Sequence, residues 1–268
     1  MDMPETGLSP TPLPDVNVVL HDFAARIRAI LGNHFLGMYL YGSLALGDFD
    51  PGGSDIDFLV VTDADLPDEL FMALHALHAQ FHASDSPWAG RIEAAYIPRG
   101  ALRHAAPTPE RYPQLEKGRT LVRIPLESGW AFQAYTLREH GVAVAGPAPH
   151  TWIEPVAPGA MRAAVIAIAG EWQDRARHDP AWLVWLGEGQ AQAFVVLTLC
   201  RLLYSLDTGA VASKPVAARH AQETLGTGRA GLIERALAGQ RDKGKAPQAD
   251  VNDTLALIDY VVERALAP

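Results

Sequence analysis

The stretch that decides the fold is Tyr39-Leu40-Tyr41-Gly42-Ser43-Leu44-Ala45-Leu46-Gly47-Asp48-Phe49-Asp50-Pro51-Gly52-Gly53-Ser54-Asp55-Ile56-Asp57-Phe58-Leu59-Val60-Val61. It reads as an apolar run, a Gly-Ser step, a turn-rich interval and a second apolar run headed by aspartates. Residues two apart on a strand project to one face, so Asp55 and Asp57 pair their carboxylates while Ile56 and Phe58 turn to the core. Two neighbouring carboxylates repel, and each resists ionising unless a cation joins them. Hard oxygen donors at a shallow site suit magnesium, which takes one or two carboxylates together with substrate phosphates. Gly42 and Ser43 supply the complement, because a strand ending in glycine and a hydroxyl at a helix start lets backbone amides approach a phosphate. Ser54 adds a second hydroxyl beside Asp55. Taken alone, the acidic pair is equally a solvated strand edge. The eleven-residue interval that joins Gly42-Ser43 to Asp55-Ile56-Asp57 is what makes the set specific.

Outward from this centre, apolar spacing predicts a helix over 15–31, a strand over 35–41, a short helix from Leu44, a loop over 48–54, a strand over 55–62 and a helix over 67–83. Over 91–97 the residues alternate, with Ile92, Ala94 and Tyr96 on one face and Arg91 and Glu93 on the other. A further strand at 121–124 and a helix at 128–140 follow. The character changes after Gly146-Pro147-Ala148-Pro149 and again over 155–159, and from Ala160 onward only helical patterns remain, at 161–177, 190–206, 216–225, 231–240 and 252–266. The expectation is an α+β chain: a disordered lead-in over 1–14, a domain over 15–156 with a mixed sheet flanked by helices, and an all-α bundle over 157–268.

Composition narrows the function. An apolar share of 49% in 268 residues supplies a real core. A net charge of -9 with no basic cluster argues against a nucleic-acid partner and suits a cationic small molecule. The single Cys200 excludes an internal disulfide and sits in apolar helical surroundings, as a packed thiol does. The N-terminal residues lack the charged and apolar regions of a signal peptide, and no uninterrupted apolar stretch is long enough to cross a bilayer. A soluble, cytoplasmic monomer is expected. His75, His78 and His82 recur at helical spacing and read as a polar helix flank rather than a metal site.

The opening stretch resembles the nucleotidyltransferase superfamily related to DNA polymerase beta, whose signature is a hydrophobic residue, Gly, Gly or Ser, an interval, then Asp-x-Asp or Asp-x-Glu. Here it reads Tyr41-Gly42-Ser43 and Asp55-Ile56-Asp57. Within that superfamily the chain is most similar to aminoglycoside adenylyltransferases of the streptomycin/spectinomycin type, through 40–43, 54–60, 137–147 and 195–209, with Lys214 shortly after. The resemblance implies that Asp55 and Asp57 bind two magnesium ions carrying the triphosphate of ATP, and that Glu93 is the general base on a substrate hydroxyl. Some superfamily members use the third carboxylate as a metal ligand, and both roles stand open. Arg201 and Lys214 match positions that reach the nucleotide phosphates, and Glu188 lies near the acids that bind antibiotic amines. The chain departs from the pattern in three places: around Glu188, after Tyr112-Pro113, and at Leu237, where the family has an adenine-stacking tyrosine. The implied reaction is magnesium-dependent transfer of AMP from ATP to a hydroxyl of an aminoglycoside or aminocyclitol, with release of pyrophosphate. The alternatives are the same chemistry on another small molecule or on a protein, as in toxin–antitoxin enzymes, and a nucleotide-binding regulator without catalysis. The joint presence of Asp55, Asp57 and Glu93 counts against the regulator.

Overall fold

The computed structural model describes residues 9–104, 106–116, 118, 120–241 and 243–267. Two compact units result: the chain through Leu126 with Gln133–Pro155, and Glu127–Phe132 with the chain from Val156 onward.

The first unit opens with α1 (Pro14–Leu31), where proline's fixed φ suits the first helical turn. The expected lead-in over 1–14 lies outside the described residues as far as position 8. From Thr11 the chain is held in place: Thr11 is buried and its N–H and hydroxyl both donate to Asn17 Oδ1, at 3.0 and 2.7 Å. Then follow β1 (Phe35–Leu40), the one-turn α2 (Gly42–Ala45), β2 (Ile56–Thr62), α3 (Asp68–His82), β3 (Ile92–Pro98), α4 (Arg99–Leu102), β4 (Thr108–Leu115), β5 (Val122–Leu126), α5 (Trp130–His140), which belongs to this unit from Gln133, and β6 (Val142–Ala145). The six strands form one mixed sheet in the order β5-β4-β3-β2-β1-β6. Only β2 and β3 run parallel among these pairs, and α3 supplies the crossover that a parallel neighbour requires.

Alternation on the strands divides the sheet into two faces. Met38, Leu40, Ile56, Phe58, Val60, Ile92, Ala94 and Tyr96 pack in one cluster with Val16, Leu20, Phe23 and Ile27 of α1 and Leu74 and Leu77 of α3. On the opposite face Tyr39, Leu59, Val61, Ala95 and Ile97 are also buried. Of the α3 histidines expected as a polar flank, His82 is exposed and His75 half-buried, while His78 departs from that expectation. His78 is 4% exposed, lies among the rings of Phe23 and Phe58, and shares a 2.7 Å hydrogen bond with the Tyr96 hydroxyl. A buried imidazole needs such a partner, and strand β3 provides it.

The second unit contains α6 (Pro158–His178), α7 (Pro180–Leu186), α8 (Gly189–Thr208), α9 (Lys214–Leu225), α10 (Thr227–Gly239) and α11 (Gln248–Leu266). Helix α8 is central and packs against each of the other five. By length and apolarity it is able to cross a bilayer, contrary to expectation; its residues Val195, Val196, Leu199, Cys200, Leu202 and Leu203 are instead buried in the bundle core. Arg235 of α10 grips both oxygens of the buried Asp250 on α11, at 2.9 and 3.1 Å from Nε.

Candidate active site

The acidic centre follows from strand register. Ile56 stands beside Ile92 and Asp57 beside Glu93 on the parallel pair. Ile56 and Ile92 enter the core, so Asp57 and Glu93 share the other face, each half-buried at the start of its strand. Strand β2 begins at Ile56, which leaves Asp55 as the residue that leads into it from the 48–54 loop. The apolar residues therefore anchor the strands while the carboxylates stand at their ends.

Gly42 closes the centre from β1. Its φ is +61°, and a Cβ there would fall 2.0 Å from Asp57 Oδ2. Glycine is required both by the backbone conformation and by the carboxylate lying against it. Tyr41 N–H donates to the Asp57 carbonyl at 3.2 Å, which fastens this turn to β2. The Tyr41 phenol is pushed well above its ordinary pKa, first by burial and then by the nearby charges of Asp57 and Glu93. It stays neutral beside the carboxylates. Strand spacing places Tyr41 at the end of the buried 35–41 run; the signal for its place at the site is a hydroxyl-bearing aromatic in place of an aliphatic residue directly before Gly42-Ser43.

Ser43 lies in the single turn of α2, where its carbonyl accepts Asp48 N–H at 3.0 Å. One turn gives a much weaker dipole than the helix expected after Gly42-Ser43, so backbone approach rather than helix polarity is the asset at this position. Ser54 Oγ accepts Asp50 N–H at 3.0 Å, and Ser54 N–H donates to Asp50 O at 2.8 Å, so this serine closes the loop that carries Asp55.

These residues suit magnesium. Asp55, Asp57 and Glu93 offer only hard oxygen donors, and the missing Cβ at position 42 leaves the place that the Asp57 carboxylate takes against the backbone. Among the described residues no three His, Cys, Asp or Glu side chains gather as a complete metal cage. An ion held by these carboxylates would need further oxygen ligands, such as phosphate or water, as magnesium accepts.

Other expected site residues lie in the helical unit. Arg201 on α8 donates from Nε to the Ala212 carbonyl at 3.2 Å, two residues before Lys214, which opens α9. The structure thus brings Arg201 alongside the start of α9. Glu188, expected to receive a substrate amine, meets Lys245 Nζ, a partner that sequence spacing does not signal. Backbone bonds from Gly189 N to Gly244 O and from Ala246 N to Gly187 O, at 2.8 and 2.9 Å, set these segments side by side. Leu237 packs against the bundle core. Trp172, Trp185 and Phe194 form an aromatic row, with Phe194 6.2 and 6.5 Å from the two tryptophans.

A family model described as a nucleotidyltransferase domain matches residues 26–104, and one described as the C-terminal domain of aminoglycoside adenylyltransferase matches residues 152–264. An aminoglycoside (3'') (9) adenylyltransferase of Escherichia coli is 29% identical over 253 residues, covering 89% of this chain and 91% of the relative. Its counterpart in Klebsiella pneumoniae is 30% identical over 222 residues, covering 78% of this chain and 79% of the relative. Among solved structures, a spectinomycin adenyltransferase, AAD(9), from Enterococcus faecialis, determined with ATP and spectinomycin, matches with a TM-score of 0.67. That match covers 94% of this chain and 98% of the other at 20% identity, and it establishes likeness of fold.

Proposed function

Because this chain belongs to the aminoglycoside adenylyltransferase family, we propose that it transfers AMP from ATP to a hydroxyl of a streptomycin-like or spectinomycin-like acceptor and releases pyrophosphate. The observation that carries the reading is the parallel register of Asp57 with Glu93, with Gly42 lying on the Asp57 carboxylate.

In this reading Asp55 and Asp57 hold two magnesium ions, which when bound neutralise charge on the phosphate oxygens. Glu93 accepts the proton of the acceptor hydroxyl as its oxygen forms a bond to the α-phosphorus. The bond from that phosphorus to the bridging oxygen breaks, and pyrophosphate leaves with the electron pair. A hydroxyl is a weak nucleophile near neutral pH, so a carboxylate within reach of its proton lowers the barrier. Gly42, Ser43 and Ser54 line the triphosphate, Ser54 with its hydroxyl hydrogen, since its oxygen already accepts from Asp50. Arg201 and Lys214 supply cations for the phosphates. Glu188 receives an acceptor ammonium in exchange for Lys245. The net charge of -9 favours a cationic acceptor over nucleic acid, and a cytoplasmic monomer completes the proposal.

Purified protein incubated with Mg-ATP and a panel of streptomycin-like and spectinomycin-like acceptors should yield adenylylated products by mass, and Asp57→Asn should abolish them. Transfer to none of the panel would overturn the antibiotic assignment and direct the search to other small molecules or to proteins. Pyrophosphate release that survives Asp57→Asn would overturn the assignment of the site itself.

A further inference from the structure

The loop that delivers Ser54 and Asp55 contains Pro51, Gly52 and Gly53, and glycines leave a backbone free to wander. Its internal bonds all converge on Asp50: Gly53 N and Ser54 N donate to the Asp50 carbonyl at 3.0 and 2.8 Å, and Gly52 N donates to Oδ1 at 2.9 Å. These bonds shape the turn from within, and at its end Ile56 enters the ladder with β3.

Arg91 adds a side-chain tie across the turn. It directly precedes β3, two residues from Glu93, and its carbonyl accepts Ile56 N–H at 2.9 Å. Its side chain crosses to the loop, where Nη1 donates to the Pro51 carbonyl at 2.9 Å and Nη2 donates to the Ser54 carbonyl. The guanidinium plane is supported by Trp88, whose ring centroid lies 4.6 Å away, and Trp88 lies 5.8 Å from the ring of Phe49 on the same loop. A planar fork resting on an aromatic face is a rigid strut, which a lysine does not reproduce.

We propose that Arg91 is a positioning residue: it ties the turn that presents Ser54 and Asp55 to the strand that presents Glu93, and so sets the distance between the metal-binding and base ends of the centre. The proposal rests on the reaction given above. Groups that orient ligating side chains typically change metal affinity by about 10- to 100-fold when removed.

The test compares wild type with Arg91→Ala and Arg91→Lys by hydrogen exchange and by calorimetric titration with Mg-ATP in the absence of acceptor. In Arg91→Ala, amides of 50–56 should exchange about tenfold faster and Mg-ATP affinity should fall about tenfold, with acceptor KM little changed. Arg91→Lys keeps the charge and the stem over Trp88, should move both readouts in the same direction by less, and carries the test if the alanine variant does not fold. Arg123→Ala serves as the control, because Arg123 is built in the same way over Phe71, 4.2 Å from its ring, and bonded to Leu66 O and Asp68. It should leave exchange at 50–56 unaltered. Unchanged exchange in both Arg91 variants overturns the proposal, and so does faster exchange with unchanged Mg-ATP affinity. Failure of the reaction is read on the wild type, as absent transfer; failure of the Arg91 role is read on the difference between variant and wild type.

Discussion

A methyl group at position 42 would meet Asp57 Oδ2 at 2.0 Å on a backbone already in the left-handed region. Gly42→Ala must therefore push the Asp57 carboxylate aside or shift the β1 turn, and a displacement of about 1 Å at a reacting centre costs on the order of 100-fold in rate. Steady-state kinetics should show that loss, with circular dichroism still reporting a folded protein. A merely twofold change would mean that the carboxylate has room to spare. At the same scale, burial, followed by the neighbouring charge of His75, lowers the pKa of His78 from 6.5 to about 4. Between those values the unfolded chain binds the proton and the folded chain does not, so stability rises with pH through the window. The contribution is fully present above pH 6.5 and fades as pH falls toward 4, by about 3 kcal/mol in all. In urea titrations the advantage of wild type over His78→Gln should shrink from pH 7 to pH 5. An advantage that stays constant would show that His78 takes up its proton without strain.

Among the elements, Asp179 illustrates a local rule with a measurable effect. Its Oδ1 accepts Ala181 N–H and Trp182 N–H at 3.0 and 3.1 Å, satisfying amides that would otherwise be bare at the start of α7. Asp179→Ala should destabilise the protein by about 1 kcal/mol in chemical denaturation, while Asp179→Asn should retain most of the cap. The same element shows where a single sequence misleads. Pro-Ala-Trp-Leu-Val-Trp-Leu over 180–186 lacks the polar residues that give a helix its period, so spacing alone does not reveal α7. Strand β4 carries Pro109 and Pro113, residues that argue against a strand unless it lies near a sheet edge. β4 lies second from the edge, between β5 and β3, but its pairing with β3 is confined to Gln114 and Leu115, so both prolines fall outside that ladder. β1, β2, α3 and β3 were legible because alternation and helical spacing in them are strong. The acidic centre was legible because Asp57 and Glu93 sit on those same strands. Lys245 opposite Glu188 and Arg91 across the 50–54 turn were not, since both depend on pairings between distant segments that no spacing encodes.

For the molecule as a whole, Cys200 offers a built-in reporter. Its thiol is fully buried in the core of the helical unit, and burial pushes its pKa up to about 12. At pH 8 a thiol reagent should label the native protein only through opening of that unit, with the labelling rate rising with urea in step with loss of helical signal. Rapid labelling in the absence of denaturant would reveal a loosely packed bundle. The single parallel strand pair has a consequence for how activity is acquired. Asp57 and Glu93 belong to strands that become neighbours only after the intervening α3 crossover has closed over the sheet, whereas the antiparallel β1–β2 pair can form without it. A chain emerging from synthesis would therefore build its β1–β2 hairpin before it can juxtapose its carboxylates. Partly folded chains would be chemically silent, and recovery of transfer after dilution from denaturant should lag behind recovery of secondary structure.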